Sequence, residues 1–422
     1  MHLMYNTLLT ICQIAIKLVS RFRVLTPKSK FGQFINGHSG LLDQIKQEFS
    51  SNGLPVIWFH ASSLGEFAAI RPIINQIKSN NACCIVLTFF SPSGIEALKE
   101  NHPNIDYVFY LPLDTKENAE RFLAILRPQC AIFSISEYWF NYLNNLKKID
   151  IKTYLISAHI TRSSVFFRWY GNAYRKILFT YNHIFASDKK SYLNLKELGL
   201  SSISVCGDPL FDNAYSISQQ KWDDCIIDKF TKWEKVFIAG SISDERDLML
   251  VSRLANKHQD TKFIFVPHAI SEEILNKTIA SIHGKSRLYS DCDENSDFTG
   301  IQVLIIDFIG ALAYIYRYAT WAYIGGGFTP LLHSVIEPLV YGLPISFGPQ
   351  IHRKSTPNQL VDSKIGKIVR TFKDLDKWFT LLKDDTVELS RIKRTAMKYA
   401  LENVGATEII VNKIEEDIWG PK

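Results

Sequence analysis

The sequence predicts an α/β fold of two Rossmann-like domains, and three observations carry that expectation. From Pro55 onward, short apolar runs alternate with helix-like stretches of about 10–15 residues, as parallel strands buried on both faces do when helical crossovers join them. The alternation breaks after Gly207 and restarts near Lys235, so there are two such series. At 422 residues the chain exceeds one ordinary core, and 46% hydrophobic with 21% charged residues is a globular composition rather than a disordered one.

The elements follow in chain order. Leu3 to Val19 is largely apolar, interrupted by Asn6, Gln13 and Lys17. No acidic residue precedes Asp43, whereas Lys17, Arg21, Arg23, Lys28 and Lys30 are basic. A signal peptide would carry its basic residues before the apolar run, not after it. A spanning helix is barely accommodated by this length. A segment lying in the membrane interface, or a signal-anchor stub, would set the basic residues against an anionic cytoplasmic leaflet. A buried N-terminal helix is the plain alternative. The pattern favours a membrane-associating segment over residues 1–30.

The first series of strand-like runs is "VIWFH", "CCIVLTFF", "YVFYLPL", "CAIFSIS", "TYLISA", "HIFAS" and "ISVCG", which places an α/β domain over residues 45–210. The second is "KVFIAGS", "KFIFVPH", "VLIID", "WAYIGGG" and "PISFG", which places another over residues 230–405. The helix-like stretch over 406–422 could belong to either domain. Two such domains are expected to face each other across a cleft, with ligands at the carboxyl ends of the strands.

Charge and cysteine usage exclude other classes. The net charge of +6 forms no dense Lys/Arg block of the kind nucleic-acid binders use, so no nucleic acid is expected as partner. The seven cysteines are odd in number and show no C-x-x-C or Cys/His metal spacing, and Cys83 and Cys84 lie in a strand-like run. They read as small apolar residues of a reducing compartment.

Three stretches offer chemistry. In "VIWFHASSLGEFAAIRPI" a buried strand gives way to a helix, and Glu66 stands at the turn. A carboxylate there can deprotonate a hydroxyl nucleophile at the mouth of the sheet. It can equally cap the helix and complement its dipole. In "IAGSISDERD", Ile238 to Asp247, a strand ends in Gly and Ser before a helix whose free N–H groups can take a phosphate, or which Ser243 merely caps. In "YIGGGFTPLLHSVIEPLVYGLPISFGP", Gly325 to Gly327 let the backbone approach a phosphate or sugar, and His333 and Glu337 are spaced to share one helical face. The alternative is a glycine turn followed by an ordinary helix. Arg162, Arg168, Arg175 and Lys176, set among aromatics, either receive an anionic head group or form a solvated basic helix. The second domain thus reads as the nucleotide-donor domain and the first as the acceptor domain.

These residues resemble the Kdo transferases of the Bacteroidetes type, GT-B glycosyltransferases that move 3-deoxy-D-manno-octulosonic acid (Kdo) from CMP-Kdo to a lipid A precursor. "WFHASSLGEF", "TFFSPSGIEAL", "YLPLDTKENAERFLAILRP", "SEYWFN", "LISAHITRS", "DFIGALAYIY", "YIGGGF" and "HSVIEPLVYGLPISFGP" follow in the family's order along nearly the whole chain. The resemblance implies an inverting transfer without metal or other cofactor, at the cytoplasmic face of the inner membrane, with an anionic lipid A precursor (lipid IVA) as acceptor. It implies Glu66 as general base and Glu137 in transition-state stabilisation. On the donor side it implies Ser241, Pro267, His268, Gly310, Ala311, Leu312, Gly325, Gly326, Gly327, His333, Ser334 and Glu337. On the acceptor side it implies Ser63, Arg162 and Arg168.

The departures fall on charge. Leu210 in "GDPLFD" stands where the family carries Lys or Arg, His268 where many members carry Arg, Ser334 where Asn is usual, and Phe140 where Pro is usual. If the missing cation's role is kept, His268, Arg162 or Arg353 are the side chains of the right type. The alternatives are a related GT-B transferase with another nucleotide sugar, or a non-catalytic relic that binds lipid or a partner.

Overall fold

A computed structural model describes residues 2–22, 30–98, 103–232, 234–351 and 355–421. The chain divides into two compact units, one holding residues up to Asn213 with the stretch from Val404, the other Ala214–Asn403.

The first unit is a seven-stranded, fully parallel sheet. Its strands are β1 (Val56–Ala61), β2 (Cys84–Phe89), β3 (Tyr107–Tyr110), β4 (Cys130–Ser134), β5 (Lys152–Ala158), β6 (His183–Ala186) and β7 (Ile203–Val205). They lie side by side in the order β3-β2-β1-β4-β5-β6-β7. Phe59 of β1 sits in register with Leu87 of β2 and Ile132 of β4. The order reverses between β1 and β4, the place where an open α/β sheet leaves a crevice at its carboxyl edge.

Burial on both faces explains why these strands read as continuous apolar runs. Val56 and Trp58 pack with Phe122, Tyr142 and Leu143 on one side, while Ile57, Phe59 and Ala61 pack with Phe67, Ile70 and Ile73 on the other. The helix Ala406–Trp419 belongs to this second face, through Ile410, Val411 and Ile414. Asp212 fixes its start by accepting from Gly405 N (2.6 Å) and Thr407 N (3.0 Å). Gly405 has φ +117°, a conformation that favours glycine.

The helix His2–Phe22 docks on this unit by its polar side. Tyr5 Oη donates to Asp114 Oδ2 (2.6 Å), Gln13 to Asn118 (3.2 Å), and Asn141 to Asn6 (2.8 Å). Leu8, Ile11, Ile14 and Leu18 remain 61%, 58%, 52% and 53% exposed, so these apolar side chains are not the buried ones. Among the described residues, no helix is long and apolar enough to cross a membrane. Arg23 and Lys28, and the side chains of Lys17, Arg21 and Lys30, lie outside the described residues.

The second unit repeats the plan with β8 (Val236–Ile242), β9 (Lys262–Pro267), β10 (Lys285–Leu288), β11 (Ile301–Ile305), β12 (Trp321–Ile324), β13 (Ile345–Phe347) and β14 (Gly366–Ile368). The order is β10-β11-β9-β8-β12-β13-β14, with the reversal between β8 and β12. The sequence reading gave five of these strands and missed β10 and β14. Both are edge strands, three or four residues long and partly polar, so they lack the apolar run that marks a central strand.

Candidate active site

In each unit part of the chemistry-bearing set stands at the strand-order reversal: Glu66 and Glu137 in the first, Ser241 and Gly325 to Gly327 in the second. In the first unit Glu66 follows β1 and Glu137 follows β4. After Ala61 the chain turns through Ser62 and Ser63 into the helix Leu64–Asn80. Ser63 N donates to Glu66 Oε2 (2.9 Å), and the Ser63 hydroxyl lies 3.4 Å from the same oxygen. The capping role of Glu66 is therefore real, and it holds the half-buried carboxylate at the strand mouth.

Glu137 is 3% exposed and held from several sides. Its Oε1 accepts from Ser62 N (3.0 Å), and its Oε2 accepts from Trp139 Nε1 (2.5 Å). Tyr181 donates to its backbone carbonyl. His60 Nε2 lies 3.5 Å from Glu137 Oε2. Two residues before Glu137, Ile135 has φ +63°, a left-handed conformation costing a β-branched residue on the order of 1–3 kcal/mol. The bond from Ile135 N to Ile156 O (2.8 Å) holds that turn.

The two carboxyls are pushed apart electrostatically. Burial, and then the neighbouring Glu137 charge, raise Glu66 above the usual carboxylate range. Burial also pushes Glu137 upward, but His60 and the bonds from Ser62 and Trp139 outweigh it and hold Glu137 below that range. One carboxyl is thus held above and the other below the ordinary range, an arrangement of the kind that acid–base sites use.

The implied acceptor arginines lie elsewhere in this unit. Thr161 to Gly171 is a loop with one short turn, Val165–Phe167, while Arg175 and Lys176 lie in the last turn of the helix Asn172–Leu178, so the basic helix holds for these two and not for Arg162 and Arg168. Arg162 is engaged in a bidentate pair with Glu197, and Arg168 reaches the Ser163 carbonyl (3.5 Å). Trp169 beside them is 91% exposed.

In the second unit β8 ends at a turn where Ser241 has φ +54°. Ser243 does not cap the next helix, because Asp244 accepts from Arg246 N (2.9 Å) and Asp247 N (3.0 Å) in that role. The Ser243 hydroxyl instead meets the Ser241 carbonyl (2.8 Å) and His333 Nε2 (2.6 Å). The His268 ring, just past Pro267, lies 4.2 Å from that of His333 at 36°. Asp247 is fully buried and ties the site together, accepting from Ser243 N (3.1 Å), Gly326 N (2.8 Å) and Tyr323 Oη (2.6 Å).

The glycines are required by backbone packing. A Cβ on Gly325 would lie 2.1 Å from the Ser241 carbonyl oxygen, and one on Gly327 would lie 2.5 Å from Gly348 N. His333 and Glu337 do not share a helical face, because the helix is only Ile336–Leu339 and begins beyond His333. His333 N bonds back to Gly325 O (3.2 Å), which turns that residue toward Ser243 instead. Ser334 lies in the same loop and Glu337 in the first turn of the short helix. Gly310 (φ +105°), Ala311 and Leu312 form the entry to another short helix, Leu312–Ile315, after β11.

Sequence reasoning missed His60 and Asp247. His60 had a signal: in a period-two strand it falls on the face of Trp58, one residue before the turn. Asp247 read as a first-turn helix acid, and its bonds to the glycine loop are not local. Among the described residues, no three His, Cys, Asp or Glu side chains converge as a metal site.

Residues 35–213 match the family model described as 3-deoxy-D-manno-octulosonic-acid transferase (kdotransferase). The chain is 26% identical over 412 residues to a 3-deoxy-D-manno-octulosonic acid transferase of Chlamydia muridarum, covering 92% of this chain and 93% of that protein. It is 25% identical over 325 residues to the protein of that name in Aquifex aeolicus, covering 75% and 83%. Among solved structures, UDP-GlcNAc 2-epimerase from Neisseria meningitidis superposes with TM-score 0.60 at 15% identity, covering 86% of this chain and 99% of that one. MurG from Acinetobacter baumannii does so with TM-score 0.54 at 13% identity, covering 86% and 99%. The fold is of the GT-B type.

Proposed function

We propose that this chain, a divergent relative of the Kdo transferases, is a glycosyltransferase that moves Kdo from CMP-Kdo to a lipid A precursor with inversion. The observation that carries the reading is the pair Glu66 and Glu137, which flank the reversal of the first sheet and have their carboxyls pushed in opposite directions. Glu66 takes the proton of the acceptor sugar hydroxyl. The hydroxyl oxygen bonds to the anomeric carbon of Kdo from the face opposite CMP, and the bond to the CMP phosphate breaks with its electron pair leaving on the phosphate. Glu137 stays ionised and stabilises positive charge on the sugar as that bond lengthens.

In the second unit, the Gly325–Gly327 turn, Ser241 and the Ser243–His333–His268 group receive the nucleotide. With Leu210 in place of a family cation and Arg162 engaged by Glu197, the imidazoles of His268 and His333 are the side chains best suited to face the leaving phosphate. Arg353 lies outside the described residues. The outward apolar face Leu8, Ile11, Ile14 and Leu18, with exposed Trp169, supports docking at the cytoplasmic face of the inner membrane.

The test is incubation of purified protein with CMP-Kdo and tetraacylated lipid A precursor, read by mass spectrometry. A Kdo-bearing lipid and free CMP support the reading. No product with CMP-Kdo but product with another nucleotide sugar would move the assignment to a related GT-B transferase. No product with any donor would favour the relic, the reading that Leu210 supports.

A further inference from the structure

Glu137 is held by two groups that can only donate, the backbone N–H of Ser62 on Oε1 and the indole Nε1 of Trp139 on Oε2. The first belongs to the turn after β1. The second comes from a side chain that the mechanism above does not use, two residues along the same loop. His60 Nε2 stands farther off, 3.5 Å from Oε2. The bonds from Ser62 and Trp139 are the same whichever nitrogen of that ring carries the proton.

The indole is set by its surroundings rather than by the carboxylate. Its ring meets Phe90, just past β2, at 5.0 Å and 47°, and the His60 ring of β1 at 5.5 Å and 80°. Phe90 is backed by Phe34 of the helix Lys30–His38 at 5.3 Å. The backbone is fixed as well. Trp139 immediately precedes the helix Phe140–Lys148, and its carbonyl accepts from Leu143 N (2.9 Å). Fully buried Asp114 accepts from the first N–H groups of that helix, Asn141 N (3.1 Å) and Tyr142 N (2.9 Å). Packing on one side and the helix start on the other therefore aim the indole N–H at Glu137, which makes it a preorganised donor.

We infer that Trp139 is a positioning residue for transfer: its indole N–H fixes the orientation of the Glu137 carboxylate at the mouth of the first sheet. This rests on the assignment of Glu137 to the transfer site, but the bond itself can be read without any turnover. With Ser62 N as the remaining donor of the two, Oε2 is free to swing about Oε1, and a bond to a charged group is lost. Trp139 acts through Glu137 and not on donor or acceptor. Its removal should therefore be felt only where the Glu137 carboxylate is present.

The experiment compares the full chain with Trp139→Phe, Glu137→Gln and the double variant. Phe keeps a ring against Phe90 and removes the N–H. The expected result for Trp139→Phe is a kcat lower by about 10- to 100-fold, the range for one hydrogen bond to a charged group, with KM for CMP-Kdo unchanged. In the Glu137→Gln background the same substitution should cost less than about twofold more. With ¹⁵N-labelled tryptophan, one indole N–H resonance should lie well downfield, vanish in Trp139→Phe and move upfield in Glu137→Gln. A folded Trp139→Phe protein with wild-type kcat overturns the inference. So does an equal loss in both backgrounds, which would make the indole a packing group only, or a change confined to KM, which would make it a substrate contact. An indole spectrum that Glu137→Gln leaves unmoved overturns it whether or not Trp139→Phe folds. If the indole answers to Glu137→Gln but the wild type transfers no Kdo, the link from Trp139 to Glu137 stands and the proposed function fails.

Discussion

The backbone N–H of Ser62 donates to Glu137 Oε1 at 3.0 Å, so the turn after β1 is clasped to the turn after β4 by the carboxylate itself. The Ser134 hydroxyl, which donates to the Glu66 carbonyl oxygen at 3.2 Å, closes the same gap from the other strand. The two acids are therefore placed by each other's turns, and a change at one is felt at the other.

The first consequence is a pH dependence with a defined sign. Glu66 must be ionised to act as base, and it titrates above the ordinary carboxylate range. The rate should hold at neutral pH and fall as pH drops through that raised value. Glu137→Gln removes the neighbouring charge that helps raise Glu66, so the residual activity should keep its rate to lower pH than the wild type. A kcat/KM profile of both proteins checks this, and a limb that shifts upward in Glu137→Gln contradicts it.

Asp247 should be the most sensitive residue of the second unit. Asp247→Ala leaves Ser243 N, Gly326 N and Tyr323 Oη without their acceptor inside the fold. Ser243 is exposed and its N–H can turn to water, but buried donors such as Gly326 N and Tyr323 Oη cost about 1–3 kcal/mol each when left unpaired, so the loss should reach about 2 kcal/mol or more. Thermal unfolding measures it. CMP affinity by calorimetry should fall as well, since the glycine loop loses its tie.

The N-terminal helix should separate stability from membrane binding. Changing Leu8, Ile11, Ile14 and Leu18 together to Ser touches side chains that face outward, so Tm should shift little. Co-sedimentation with anionic vesicles should be lost, because the apolar face that enters the interface is gone. Deleting residues 1–30 should have the same effect on binding. A quadruple variant that sediments fully would point to another docking surface, such as the one around Trp169.

Leu210 tests the missing cation. It is half-buried in the first turn of the helix Pro209–Gln219, with its N–H on Asp208 Oδ1 at 3.0 Å. In an active transferase Leu210→Arg should raise the rate or leave it unharmed. In a relic it should do nothing. A folded Leu210→Arg variant that has lost the activity of an active wild type would show that this position does not face the leaving phosphate.

How much of this was legible in the sequence follows from what each residue depends on. The central strands were readable because burial on both faces forces continuous apolar runs, as in "VIWFH" and "CCIVLTFF". The edge strands β10 and β14 were not, since Lys285 to Leu288 and Gly366 to Ile368 carry no such run. Glu66 was visible as an acid at a strand-to-helix turn, whereas Glu137 emerged only through the resemblance. The spacing of His333 and Glu337 misled, because a glycine-rich turn can absorb several residues before a helix starts, and here it absorbed His333. The links from His60 to Thr88 and from Asp247 to Gly326 join separate strands, and local pattern does not report them.

The most direct test of the central claim compares wild type and Glu66→Gln in Kdo transfer from CMP-Kdo to tetraacylated lipid A precursor. Gln at this position can still accept from Ser63 N, so the helix start and the fold should persist, as circular dichroism and Tm would show. Loss of the base should lower the rate by about 10²–10⁴-fold. A well-folded Glu66→Gln protein that transfers Kdo at close to the wild-type rate would contradict the account.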